Sequence, residues 1–169
     1  MQRTIKYFAY GSNMHPLRLR RRVPSCRVVG VARLFGYCLS FNKRGRDGSG
    51  KCNVQVSTNP GDQVEGVLYE MDTNDKVMLD RAEGLGQGYD ETTLTVLSAG
   101  IEQRAFLYVA DGRFIDDSLM PYTWYKALVV GGACHHGLSP QYVKNIERVI
   151  AVDDLDAERA DRSFAILQG

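Results

Sequence analysis

Tyr7-Phe8-Ala9-Tyr10-Gly11-Ser12-Asn13-Met14 joins an alternating apolar stretch to a run of turn and cap residues. Ile5, Tyr7 and Ala9 alternate with Lys6 and Phe8, which predicts a strand buried on at least one face. Gly11 tolerates close backbone approach, Ser12 and Asn13 are helix-capping types, and Pro16 falls in the first turn of the next element. The stretch therefore predicts a strand, a tight loop and a short helix. The successive N–H groups of such a loop can converge on an anion at the helix start.

Beyond it, Val28 to Phe41 predicts one long bent strand or two consecutive strands, interrupted at Gly30 and Gly36. Asn42 to Lys51 is polar and glycine-rich and predicts a mobile loop. Val54 and Val56 mark a strand, Asn59-Pro60-Gly61-Asp62 a turn, and Val64 to Met71 a further strand, together a β-hairpin. Thr73 is the expected N-cap of a helix carrying Val77, Met78, Leu79 and Ala82, stopped by Gly84, so that Glu83 is its last residue. Alternation on either side of Ser98-Ala99-Gly100 predicts a second hairpin. One helix is expected from Thr123 to Gly132, burying Tyr125, Leu128 and Val129, and another opens at Ser139-Pro140. The tail, residues 153–169, is charged and is left without an assigned structure. Six or seven mostly antiparallel strands with three or four helices imply an α+β fold around a curled sheet or small barrel.

The chain has 169 residues, enough for one domain spanning 1–169, with 44% hydrophobic and 24% charged residues. Its formal charge of +1 gives no global field for nucleic acid or an anionic membrane. No signal-peptide or membrane-spanning run is visible, and a cytoplasmic location is expected. Cys26, Cys38, Cys52 and Cys134 lack paired ligand spacing, so reduced thiols and no metal are expected. Cys134-His135-His136 reads as a helix C-terminus, where histidines suit the dipole. Gly84, Gly86 and Gly88 follow a helix instead of opening one, which argues against a dinucleotide cofactor. The run Arg18, Arg20, Arg21, Arg22, with Arg27 nearby, reads as a solvated face. Ser12 near His15 lacks a nucleophile elbow and an orienting acid.

Two features remain. One is the turn at Tyr10 to Met14; alone, it reads as a capped strand-to-helix junction. The other is Leu79-Asp80-Arg81-Ala82-Glu83-Gly84 followed by Tyr89, which puts a carboxylate on a helix's final turn, where the dipole disfavours negative charge. Alone, Glu83 reads as a surface residue beside a C-cap.

Taken together, Phe-Ala-Tyr-Gly-Ser-Asn near the N-terminus, Glu83-Gly84 and the aromatic after it resemble the γ-glutamyl cyclotransferase family. The resemblance continues through Val64-Glu65-Gly66-Val67-Leu68-Tyr69, Leu79-Asp80, Tyr125-Lys126, Gly132-Ala133 and Gly137-Leu138, and so spans about residues 5 to 150. It implies a γ-glutamyl cyclotransferase-like mixed barrel with no cofactor and no metal, a small-molecule γ-glutamyl substrate and a homodimer. It also implies that the turn holds the glutamyl moiety through N–H groups of Tyr10, Gly11, Ser12, Asn13 and Met14, and that Glu83 is the general acid/base. Tyr7, Tyr10, Tyr89 and Tyr125 are the expected cavity aromatics. Phe106 stands where the family pattern has a further cavity tyrosine, and Met14 replaces a leucine of similar volume. The competing reading is a non-catalytic binding module for a small carboxylate, against which a retained Glu83 argues.

Overall fold

The computed structural model describes residues 3–169. The first strand, β1 (Thr4–Ala9), ends in a 3₁₀ turn, Ser12–Met14, and α1 (Pro16–Arg22). Then come β2 (Arg27–Phe35), β3 (Tyr37–Arg44), β4 (Gly50–Val56) and β5 (Gln63–Asp72). After α2 (Lys76–Glu83) the hairpin β6 (Tyr89–Ser98) and β7 (Ile101–Ala110) precedes α3 (Thr123–His135), α4 (Pro140–Glu147) and α5 (Ala157–Gln168).

Five strands close a barrel in the order β1-β5-β2-β6-β7, and β3 and β4 form a separate two-stranded sheet. The closure is a parallel contact of Tyr7 with Phe106, beside the antiparallel β1–β5 register that sets Tyr7 opposite Tyr69. Phe8, Ala9, Val67, Leu68 and Leu107 are fully buried at this seam. The apolar side chains of the first strand are thus locked between both neighbours, and the adjoining turn inherits the position of the strand's C-terminal end. On its other side the turn is packed by α3, whose Gly132 approaches so closely that a Cβ there would lie 2.6 Å from the backbone of Met14 and His15.

The α+β barrel expected from the sequence is present, with five strands in the barrel instead of six or seven. Gly36 divides the long apolar stretch into β2 and β3, and a bulge falls between Val28 and Gly30. The β6–β7 hairpin turns at Ala99 and Gly100, both at positive φ. Four expectations need correction. First, β4 does not pair with β5, although the turn at Asn59 to Asp62 is there. Both edges of β5 are taken by β1 and β2, so β4 pairs instead with β3, Val54 opposite Leu39. Second, half of Asn42 to Lys51 is strand, and 45–49 form its loop, where Asp47 accepts from Ser49 and Lys51.

Third, the charged tail carries a helix. Asp156 caps it by accepting from the Arg159 N–H, and Ala160, Ile166 and Leu167 pack on the core. That brings the helices among the described residues to five. Fourth, Thr73 opens a 3₁₀ turn ahead of α2 and bonds the Arg3 carbonyl instead of capping the helix. The helix that opens at Ser139-Pro140 is as expected, with the Ser139 hydroxyl accepting from the Tyr142 N–H. No described helix is long and apolar enough to cross a membrane.

Candidate active site

The end of β1, the turn after it, the last turn of α2 and one face of α3 meet at a two-part cavity. Gly84 adopts left-handed φ/ψ of 71° and 48° and ends α2, which leaves Glu83 on the terminal turn. The Glu83 side chain is 16% exposed and faces the 3₁₀ turn. Its Oε1 accepts from Asn13 Nδ2 at 2.9 Å and from Arg22 Nη1 at 2.6 Å. Asn13, 3% exposed, is the hub: Nδ2 also donates to Tyr7 Oη at 3.0 Å, and Oδ1 accepts from Arg22 at 2.8 Å. Arg22 can only donate, which fixes the orientation of the Asn13 amide.

An inner recess of about 20 Å³ is lined by Tyr7, Tyr10, Gly11, Ser12, Asn13, Cys52, Glu83, Tyr89, Tyr108 and Tyr125. Every predicted site residue except Met14 is among them. Met14 is fully buried, and its N–H donates to the Gly11 carbonyl to close the turn. Its carbonyl takes Tyr69 Oη at 3.1 Å and lies 3.0 Å from His136 Nε2, so both its polar groups are occupied away from the cavity. Among the described residues, the N–H groups of Gly11, Ser12 and Asn13 have no protein acceptor. Three adjacent donors left open in this way suit a carboxylate or a developing oxyanion.

The phenols differ in what they have left to give. Tyr89 donates to the Cys52 carbonyl at 2.6 Å and Tyr10 to the Tyr108 carbonyl, so both protons are committed to the scaffold. Tyr125 Oη accepts from the Cys52 N–H at 3.0 Å, and Tyr7 Oη accepts from Asn13, which leaves each with a proton for a bound group. Burial pushes all four phenols far above their usual range, and the Glu83 carboxylate adds to this at Tyr7, so they remain neutral donors. Phe106 does not line the recess; it stacks behind Tyr7 with ring centroids 5.0 Å apart. The hydroxyl-bearing residue of β7 at the cavity is Tyr108, whose Oη donates to Asp80 at 2.6 Å.

An outer chamber of about 240 Å³ opens beyond, and Ser12, Glu83, Tyr89 and Tyr125 line both spaces. Arg18 and Arg22, expected on a solvated face, turn into this chamber, whereas Arg20 and Arg21 are exposed. Sequence reasoning also missed Cys52, Tyr108, Lys43 and Lys51. Arg18 and Arg22 had a readable signal, since residues four apart share a helix face. Among the described residues no three His, Cys, Asp or Glu side chains are grouped as a metal ion would require.

The family model described as "AIG2-like family" matches residues 63–146. The bovine γ-glutamylcyclotransferase is 32% identical over 148 residues, covering 85% of this chain and 77% of that protein. The human γ-glutamylcyclotransferase is 29% identical over 150 residues, with 85% and 77% covered. A solved structure of a γ-glutamyl cyclotransferase superposes with a TM-score of 0.87 at 27% identity, covering 99% of this chain and 100% of the other.

Proposed function

This chain belongs to the γ-glutamylcyclotransferase family and is an enzyme, and from that premise we propose that it converts a γ-glutamyl amino acid or amine to 5-oxoproline and the free amine, with Glu83 as the proton-transfer group. The observation that carries the reading is the position of Glu83 on the boundary between the two spaces, beside the open N–H groups of the turn. The glutamyl half is placed in the inner recess and the leaving half in the outer chamber, so the scissile amide lies at that carboxylate. The recess as it stands has room for little more than a water-sized group. Binding of the glutamyl half therefore loosens the Arg22–Asn13–Glu83 cluster, whose members are joined only by side-chain contacts.

In the reaction the substrate's α-amino nitrogen attacks its own γ-carbonyl carbon. A new C–N bond closes the five-membered ring as the bond to the leaving nitrogen breaks. Glu83 first takes the proton that the ammonium must lose and returns it to the departing nitrogen. The second proton, which the attacking nitrogen sheds as the ring closes, follows by the same carboxylate, so that the amine leaves as its ammonium form. Such transfer is worth roughly 10² to 10⁴ in rate. The N–H groups of Gly11, Ser12 and Asn13 hold the glutamyl carboxylate, and the protons of Tyr7 and Tyr125 complete the mould. Holding the folded-back conformer supplies up to about 7–11 kcal/mol in ideal intramolecular cases.

The test is to incubate the protein with γ-glutamyl amino acids and amines and follow 5-oxoproline by mass spectrometry. Glu83→Gln keeps a hydrogen-bond acceptor for Arg22 and Asn13 but cannot shuttle a proton; turnover is expected to fall by roughly 10² or more. Turnover comparable to wild type would discard the assignment.

A further inference from the structure

We infer that the outer chamber is a carboxylate-binding subsite that selects γ-glutamyl compounds whose leaving amine is a dicarboxylic amino acid. The inference rests on the reaction proposed above and names the substrate class of that same site. Two of the cations at the chamber already have anions. Arg22 meets Glu83 at 2.6 Å, and Lys51 meets Asp47 at 2.7 Å. Arg18, Lys43 and Arg46 line the same space without one.

Lys43 is the most informative of the three. It is only 6% exposed, and among the described residues its ammonium makes no hydrogen bond and no ion pair, lying 4.4 Å from the centroid of the Tyr89 ring. Burial holds it below the usual lysine range. It lies close against Gly88, where a Cβ would come within 2.7 Å of its Nζ. Arg18 Nε is buried without a partner, and burial followed by the nearby Arg22 lowers that guanidinium to about 10. A buried cation with no counter-ion destabilises the fold unless a ligand supplies the anion.

The glutamyl half has a carboxylate of its own, which the open N–H groups of the turn accommodate in the inner recess. It therefore leaves Arg18 and Lys43 unmatched. The α-carboxylate of a leaving amino acid answers one of them, and a side-chain carboxylate answers the other. Arg46, exposed at the rim with Gln87 at 3.4 Å, adds to the attraction.

The experiment compares kcat/KM for γ-glutamylglutamate, γ-glutamylalanine and γ-glutamylethylamide. A fall of about tenfold or more is expected at each step, the value of one hydrogen-bonded charge. Lys43→Met keeps the apolar stem, and is expected to shrink the glutamate-over-alanine ratio to about threefold or less, chiefly through KM. Arg46→Ala, at an exposed position, is expected to reduce the same ratio less, and only at low salt. Equal kcat/KM for the three compounds overturns the subsite while leaving the reaction standing. If none of the three yields 5-oxoproline, the proposed reaction fails, and calorimetric titration of the same compounds into Glu83→Gln decides the subsite separately. Tightest binding of γ-glutamylglutamate supports it, and equal binding of the ethylamide overturns it.

Discussion

Replacing Asn13 by alanine separates what the Glu83 carboxylate is from where it is held. Three hydrogen bonds go with the amide: to Glu83 at 2.9 Å, to Tyr7 at 3.0 Å and from Arg22 at 2.8 Å. A neutral bond is worth about 1 kcal/mol and one to a charged group about 1.5–3 kcal/mol, so the gross loss is about 4–7 kcal/mol. Most of it is not realised. Arg22 and Glu83 still face each other, and with side chains 22% and 16% exposed they can recruit water in place of the lost amide. The net cost is set at about 2 kcal/mol, which lowers Tm by about 4–8 °C in a chain of this size. The effect on rate is larger, because Glu83 is then held by Arg22 alone and drifts toward it; a displacement of this kind costs about 10² in kcat. The assay is 5-oxoproline release at saturating substrate, with thermal unfolding followed in parallel. Wild-type kcat alongside the expected fall in Tm would refute the positioning role and leave Asn13 a structural residue. Asn13→Asp sharpens the comparison, since it keeps the shape but sets a second carboxylate beside Glu83, and kcat should fall at least as far.

Three further outcomes rest on the same geometry. Gly132→Ala forces α3 away from the turn it packs on, since the new Cβ would meet the backbone at 2.6 Å; a loss of about 1–3 kcal/mol in unfolding free energy is expected, with reduced turnover. Denaturant curves that match wild type would show that the contact relaxes freely. Burial pushes the Cys52 thiol up to about 12, whereas Cys134 is exposed, so iodoacetamide at pH 8 should label Cys134 in the native protein and Cys52 only after unfolding, as read by peptide mass spectrometry. The His15 imidazole is held below its ordinary 6.5, first by burial and then by His135. The unfolded chain therefore takes up this proton more readily, so stability falls as pH drops below about 6.5 until the folded-state value is reached. His15→Leu should flatten that part of a Tm-against-pH curve, and an unchanged slope would shift the effect to His136, which burial also lowers.

What was legible in the sequence is what local chemistry fixes. The strand Ile5 to Ala9 shows itself by alternation, and α2 ends where Gly84 supplies the left-handed cap, so the elements that carry both halves of the candidate site follow from local pattern, whereas joining the two into one site rests on the family resemblance. What was not legible depends on which edge or face is vacant. The pairing of β4 could not be read from its own residues, because the competition was settled by β1 and β2 occupying both edges of β5. The family resemblance sets Phe106 where a further cavity tyrosine is expected, yet the β7 residue that lines the recess is Tyr108, two residues on and on the same face of the strand.

The arginine run shows the limit most clearly, because clustered charge ordinarily faces solvent. That expectation holds for Arg20 and Arg21, which are exposed. It fails for Arg18 and Arg22 because they are one turn apart on a helix whose face is turned to α2, and α2 ends in a carboxylate. Two cations at i and i+4 could thus have been paired with a lone acid at a helix terminus before the fold was known. The charge that makes Glu83 unfavourable at the end of its own helix is met by α1, and it takes both helices to explain why that carboxylate can be held at the cavity.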